Sequence, residues 1–251
     1  MTSEDLKTGK DLDDLTASYT LGDAAGKRCL AITDELLQAI ENYTTKGGAY
    51  GAVTLYPHLT TISADGAALL RRLGHSATTQ FNFEKAYVLS DIGKIHQCYD
   101  KIDWMSDDRP SKAEKDFRRQ HTVRGPDILD DKLRFESEDV KTHPHWQVVK
   151  SLMVYHHERM DGNGELHLAG EKIGDVLQVA CMVDAYDGDM RKRAHQSTPR
   201  TQEEQLDRMQ NDDKYRGAFA PAMLETYKAL RIEAFAPQRP APAENRAMVM
   251  L

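Results

Sequence analysis

No apolar run in the 251 residues approaches the roughly 20 needed to span a bilayer. Mean hydropathy is −0.63, so no membrane contact is expected. The start, Met1-Thr2-Ser3-Glu4-Asp5, is acidic and polar, which excludes a signal peptide there. Cysteine is scarce: Cys29, Cys98 and Cys181 are far apart and odd in number. That excludes a disulfide framework and zinc-finger spacing, and all three are expected to be small buried thiols of a cytoplasmic protein. Basic excess is missing too. The formal net charge of −7 argues against general affinity for a phosphate backbone, so DNA is not an expected partner. No stretch alternates long enough to make a sheet, and no repeat is evident.

What is present is an ordinary globular balance, 40% hydrophobic and 29% charged. Apolar residues recur at helical spacing in Leu30, Ile32, Leu36, Leu37 and Ile40, predicting a helix over 24–43 that Gly47-Gly48 ends. Further helices are expected over 52–73 with Gly74 as cap, over 81–89 capped from Ser76–Thr79, and from Ser111 through His121. Others are expected at 127–133, 145–157, 173–186, 201–210 and 219–235. Residues 1–23 show no core pattern, 104–110 read as a loop and 135–144 as polar and loose. The fold class is therefore all-α. The domains read as an N-terminal helical extension (1–50), a metal-binding domain (51–235) and a disordered Pro/Ala-rich tail (236–251).

The chemistry gathers around His156-His157-Glu158-Arg159-Met160-Asp161-Gly162-Asn163-Gly164. Two adjacent imidazoles end an apolar helix, and Asp-Gly-Asn-Gly turns the chain directly after them. Neighbours on a helix point about 100° apart, so the pair serves two nearby centres, or one binds while the other supports. Neutral imidazole is the commonest side-chain metal ligand. His58, Asp91, His121 and Asp184 also lie at helix ends or on helix faces, and Asp184 stands alone on an apolar surface, where an unpaired carboxylate is costly. Together, His58, Asp91, His121, His156, His157 and Asp184 suit a pair of iron, manganese or zinc ions, with Asp91 able to bridge.

In order and spacing these segments resemble the HD superfamily of metal-dependent phosphohydrolases, in its HD-GYP branch, from about Pro57 to Ala229. Ser90-Asp91-Ile92-Gly93-Lys94 looks like the His-Asp-Ile-Gly-Lys signature. His121 with Gly125, the His156–Gly164 segment, Asp184-Ala185-Tyr186-Asp187 and Phe219-Ala220-Pro221 resemble the later motifs. The resemblance implies an HD-domain helical bundle with N-terminal accessory helices. It also implies two divalent metals, iron or manganese, and hydrolysis of cyclic di-GMP or a related phosphoester by water that the metals acidify. Asp91 and Lys94 would be catalytic, Lys94 and Arg193 would hold phosphate, and Glu158 and Asp161 would orient the histidines.

Three positions depart from the pattern. Ser90 replaces the signature histidine, Gly164-Glu165-Leu166 replaces Gly-Tyr-Pro, and Thr54 offers no carboxylate for a third metal. They bear on catalysis more than on fold. Two alternatives stay open beside hydrolysis: a signalling module that binds a nucleotide or partner protein without turnover, and a diiron oxygenase on the same ligand set. His75, His96, His143, His145, His167 and His195 match no motif and are expected mostly at the surface, with His96 a weak candidate to replace the ligand missing at Ser90. A homodimer and a regulatory partner are further expectations.

Overall fold

The structure, a computed structural model, describes residues 6–45, 48–102, 111–190 and 200–235, with Phe235 described by its backbone alone. The loop expected at 104–110, the expected phosphate ligand Arg193, His195 and the tail expected at 236–251 lie outside the described residues.

The apolar spacing at 24–43 gives α2 (Ala24–Glu41), with Asp23 accepting from the Gly26 N–H at 2.7 Å as its N-cap. One π-helical turn, Gly51–Leu55, leads into α3 (Tyr56–Arg72). Gly74 follows at φ 89°, a left-handed position that suits glycine at a helix end. Ser76 caps α4 (Ala77–Tyr87), accepting from Thr79 N–H at 3.0 Å. Short 3₁₀ turns, Ile92–Ile95 and Gln97–Tyr99, follow. Then come α5 (Lys112–Arg119), α6 (His121–Leu133), α7 (Glu138–Lys141), α8 (Pro144–Tyr155), α9 (Asp175–Met190), α10 (Gln202–Asn211) and α11 (Pro221–Phe235). Among the described residues there is no strand, and none of the helices is long and apolar enough to cross a membrane. The all-α expectation holds.

Helices α3, α4, α8 and α9 form the centre: α3 packs on α4 and α9, and α4 on α8. α9 is buried nearly all round, with Val176, Leu177, Val179, Ala180 and Met182 at 0% exposure, the pattern of a core helix. Each fully buried Leu or Val of this kind contributes roughly 1.5–3 kcal/mol.

Several local expectations change. The first 23 residues contain α1 (Gly9–Ser18), which packs on α4, α8 and α9 with Leu12 and Thr16 fully buried. Its apolar face is short and polar bonds complete its docking. Asp13 Oδ1 and Oδ2 accept from Val176 and Asp175 N–H at 2.8 and 3.0 Å, capping α9, and Asn82 Nδ2 donates to Thr16 O and Tyr19 O. His121 opens α6 rather than riding on the helix that Ser111 caps. α6 runs through Gly125-Pro126 because proline has a helical φ and costs one backbone bond, while α8 and the Ile92–Ile95 turn pack along it. α9 continues past Asp187-Gly188 to Met190, and 138–141 is helical. Cys29 and Cys181 are buried as expected, but Cys98 is exposed. His143 and His145 are buried, not at the surface.

Candidate metal centre

Two histidines of the centre sit where one helix ends and use that end as an anchor. His156 is the C-cap of α8, and its Nδ1–H donates to Leu152 O and Met153 O, each at 3.0 Å. Carbonyls of a last helical turn are short of backbone partners and each has two lone pairs, so an imidazole N–H can be accepted there, at Leu152 beside the His156 N–H. His121 does the same after α5, its Nδ1–H donating to Arg118 O at 2.8 Å. His58, on the first turn of α3, donates Nδ1–H to Asp187 Oδ2 at 2.6 Å. A neutral imidazole has one proton, so at His121 and His156 Nε2 is left as a lone pair.

Those lone pairs converge. His121 Nε2 lies 3.5 Å from His156 Nε2 and 3.3 Å from His157 Nε2, and Asp91 Oδ1 lies 2.9 Å from His121 Nε2 and 3.5 Å from His156 Nε2. On the other side, His58 Nε2 lies 3.4 Å from Asp91 Oδ2 and 3.2 Å from Asp184 Oδ1, and His157 Nδ1 lies 3.4 Å from Asp184 Oδ2. Two sets of ligand atoms result, Asp91/His121/His156/His157 and His58/Asp91/Asp184, each within 4.8 Å of one another. Asp91 belongs to both and divides its oxygens between them. The six residues singled out as metal ligands are thus brought together from α3, α6, α8, α9 and the turn after α4.

A glycine makes this possible. A Cβ on Gly93 would lie 1.9 Å from His121 O, so only glycine lets the Asp91–Lys94 turn press against the start of α6. Gly164 is similarly constrained, its Cβ falling 2.6 Å from Glu158 Cα. Glu158 is buried, and its carboxylate accepts Leu166 N–H and Leu168 N–H, each at 2.6 Å. It braces the loop after the histidine pair instead of orienting a histidine. Asp161 likewise pairs with Arg159 and the Asn163 N–H, so the orienting role expected for these two acids is not what they do. Asp187, three residues along α9 from Asp184, is the acid that fixes a histidine. Its i, i+3 spacing was the available signal.

The electrostatics call for a cation. Burial pushes His121 down to about 4, so this imidazole is neutral and Asp91 Oδ1 faces a lone pair. Asp91 Oδ1 is buried with no hydrogen-bond donor. Burial works against ionising Asp91, but the Lys94 ammonium outweighs it and holds the carboxyl well below its usual range. Burial also opposes charge on Asp184, where His157 and His58 prevail in the same direction. On His58, burial opposes the proton, yet the carboxylates of Asp184, Asp187 and Asp91 raise it to about 10. At Asp91 Oδ1 and His121 Nε2, buried acceptors aimed at each other with no proton between them are unfavourable until something positive sits there. Mixed imidazole and carboxylate donors suit a divalent transition metal, so the donor set fits the ion it was read for.

Lys94 Nζ donates to Asp91 Oδ2, with 17% of the side chain exposed. A cavity of about 270 Å³ is lined by His156, His157 and Asp184 together with Lys214, Tyr215 and Phe219. The Tyr215 and Phe219 rings are stacked at 6.1 Å. Glu165, in the loop that departs from Gly-Tyr-Pro, lies 3.5 Å from Arg119 Nε and adds negative charge near His157. His96 caps the next turn, its Nδ1 accepting Cys98 N–H at 3.2 Å, and is in neither ligand set.

No protein-family model and no curated protein matches the chain. Among solved structures it is similar to Bd1817, an HDG"Y"P protein from Bdellovibrio bacteriovorus, with a TM-score of 0.57 and 16% identity over 88% of this chain and 68% of that chain. At that identity the likeness speaks for the fold. The chain has an HD-GYP-like helical fold.

Proposed function

We propose that this HD-GYP-like chain is a metal-dependent phosphodiesterase acting on cyclic di-GMP or a related phosphoester, with iron or manganese at the His/Asp cluster. One observation carries the reading: Asp91 Oδ1 is a buried orphan 2.9 Å from a lone-pair nitrogen, amid imidazoles whose protons are spent elsewhere. A divalent ion bound there would supply Lewis acidity toward a phosphoryl oxygen and toward water.

The chain's own residues supply the rest. Arg118 O and Leu152 O hold His121 and His156 in one tautomer and Asp187 orients the His58 ring, so the ligand set is pre-organised. Lys94 is the ammonium nearest the cluster, and it is partly open to solvent. It would bind a phosphoryl oxygen and take up charge as the P–O bond breaks. The cavity offers the Tyr215 and Phe219 rings to a base and the Lys214 ammonium to a second phosphate. Arg193 remains the proposed further phosphate ligand.

Purified protein, chelated and reloaded with Mn(II) or Fe(II), should convert cyclic di-GMP to the linear dinucleotide or GMP, read by chromatography. No turnover of any cyclic dinucleotide or generic phosphodiester under any metal would sink this reading. Binding without turnover is the second reading, and the fully buried Ser90, a hydroxyl that is a poor ligand for transition metals, favours it. Cyclic di-GMP bound by the metal-loaded protein and recovered intact would decide for it.

A further inference from the structure

The two ligand sets are not equal. Asp91 Oδ1 faces three imidazoles, at His121, His156 and His157, a four-residue set rich in nitrogen. Asp91 Oδ2 completes a set of three with His58 and Asp184, which has only one imidazole. The side chain next to Asp91 in the chain is Ser90, fully buried, whose hydroxyl is a poor ligand for transition metals. Lys94 Nζ already sits on Asp91 Oδ2. A cation is therefore in place on one oxygen of the shared carboxylate, and the other oxygen has none.

We propose that the cluster holds one divalent cation firmly between Asp91 Oδ1 and His121, His156 and His157, and that the Lys94 ammonium stands in the neighbouring cation position on Asp91 Oδ2. A second divalent cation then binds weakly, by displacing Lys94, and its oxygen-rich set favours Mn(II) or Mg(II) over softer ions. The inference rests on the metal-centre reading and adds an order of affinity to it. Placing a divalent ion beside an ammonium at a shared oxygen is repulsive, and the repulsion is strong in so buried a place.

The experiment loads chelated full-length protein with Mn(II) and counts ions by elemental analysis after desalting, with calorimetry for the weaker step. One ion per chain should survive desalting, with the isolated-ion Mn(II) resonance spectrum. Lys94→Met keeps the aliphatic stem and removes the charge, and should tighten the second ion by about tenfold or more. Ser90→His should also strengthen the second step, by adding an imidazole. Adding Asp184→Asn to Lys94→Met should cancel the gain. Two ions retained equally by the unaltered chain would overturn the proposal. So would a second step unchanged in both Lys94→Met and Ser90→His proteins whose melting shows them folded. No ion retained at all would instead remove the metal-centre reading itself.

Discussion

Two groups of buried histidines in this molecule differ in one respect. His145, at 0% exposure near the N-terminal helices, has Nδ1 3.2 Å from Tyr19 Oη and Nε2 3.5 Å from Thr33 Oγ1. Both nitrogens face hydroxyls, which can donate or accept, so the ring is satisfied as a neutral group. His121 and His156 are as deeply buried, but each spends its proton on a helix-end carbonyl and turns its lone pair toward other acceptors. Burial alone therefore does not distinguish a structural histidine from a ligand. What distinguishes them is whether the second nitrogen faces something that can supply a proton.

The comparison breaks most completely at Asp91→Ala. It removes the shared carboxylate, and metal retention should fall by more than the roughly 10–100-fold that losing a supporting partner costs, while melting stays cooperative. Elemental analysis and circular dichroism check both halves. His145→Ala is the converse. It leaves a cavity and strands buried hydroxyls, so unfolding free energy should drop by about 2–4 kcal/mol in urea titration, with metal stoichiometry unchanged. A loss of metal in that variant would blur the distinction between the two groups.

Asp187→Ala tests the anchors. His58 loses the acceptor at 2.6 Å that orients its ring. Affinity at the His58/Asp91/Asp184 set should fall roughly 10–100-fold while the imidazole-rich set keeps its ion. Calorimetry separates the two steps, and equal weakening of both would show that the sets are not independent.

The smallest effect is in pH. Burial, then the neighbouring His143, pushes His145 down to about 3 from the ordinary 6.5. Between those values the unfolded chain takes the proton and the folded chain does not. The stability this group contributes is present above pH 6.5 and is lost as pH falls toward 3. At pH 5 the loss should be roughly 2 kcal/mol relative to pH 7. A His145→Gln chain should show a shallower decline in urea midpoint over that range. Parallel declines would mean that His145 is not the titrating group.

Much of this was legible before folding. Helical spacing gave α2, α3, α8 and the core of α9, because burying one face demands apolar residues at that period. The six clustered residues were named from their types and order. Polar contacts hid the rest. α1 showed no apolar pattern because Asp13 and Asn82 dock it through hydrogen bonds that span the chain. Glu158 and Asp161 looked like partners of the histidines by proximity in sequence, yet their oxygens turn to loop N–H groups and Arg159. His145 lacked a motif and ended fully buried because Tyr19 and Thr33, over a hundred residues away, meet it.

The sequence by itself determined an all-helical chain carrying imidazoles and carboxylates at helix ends, since periodicity and turn residues act locally. The tertiary structure decided which protons those imidazoles keep, how Asp91 divides its two oxygens, and that Lys94 stands on one of them. Hydrogen bonds between distant elements set those three things, and residue order does not specify them.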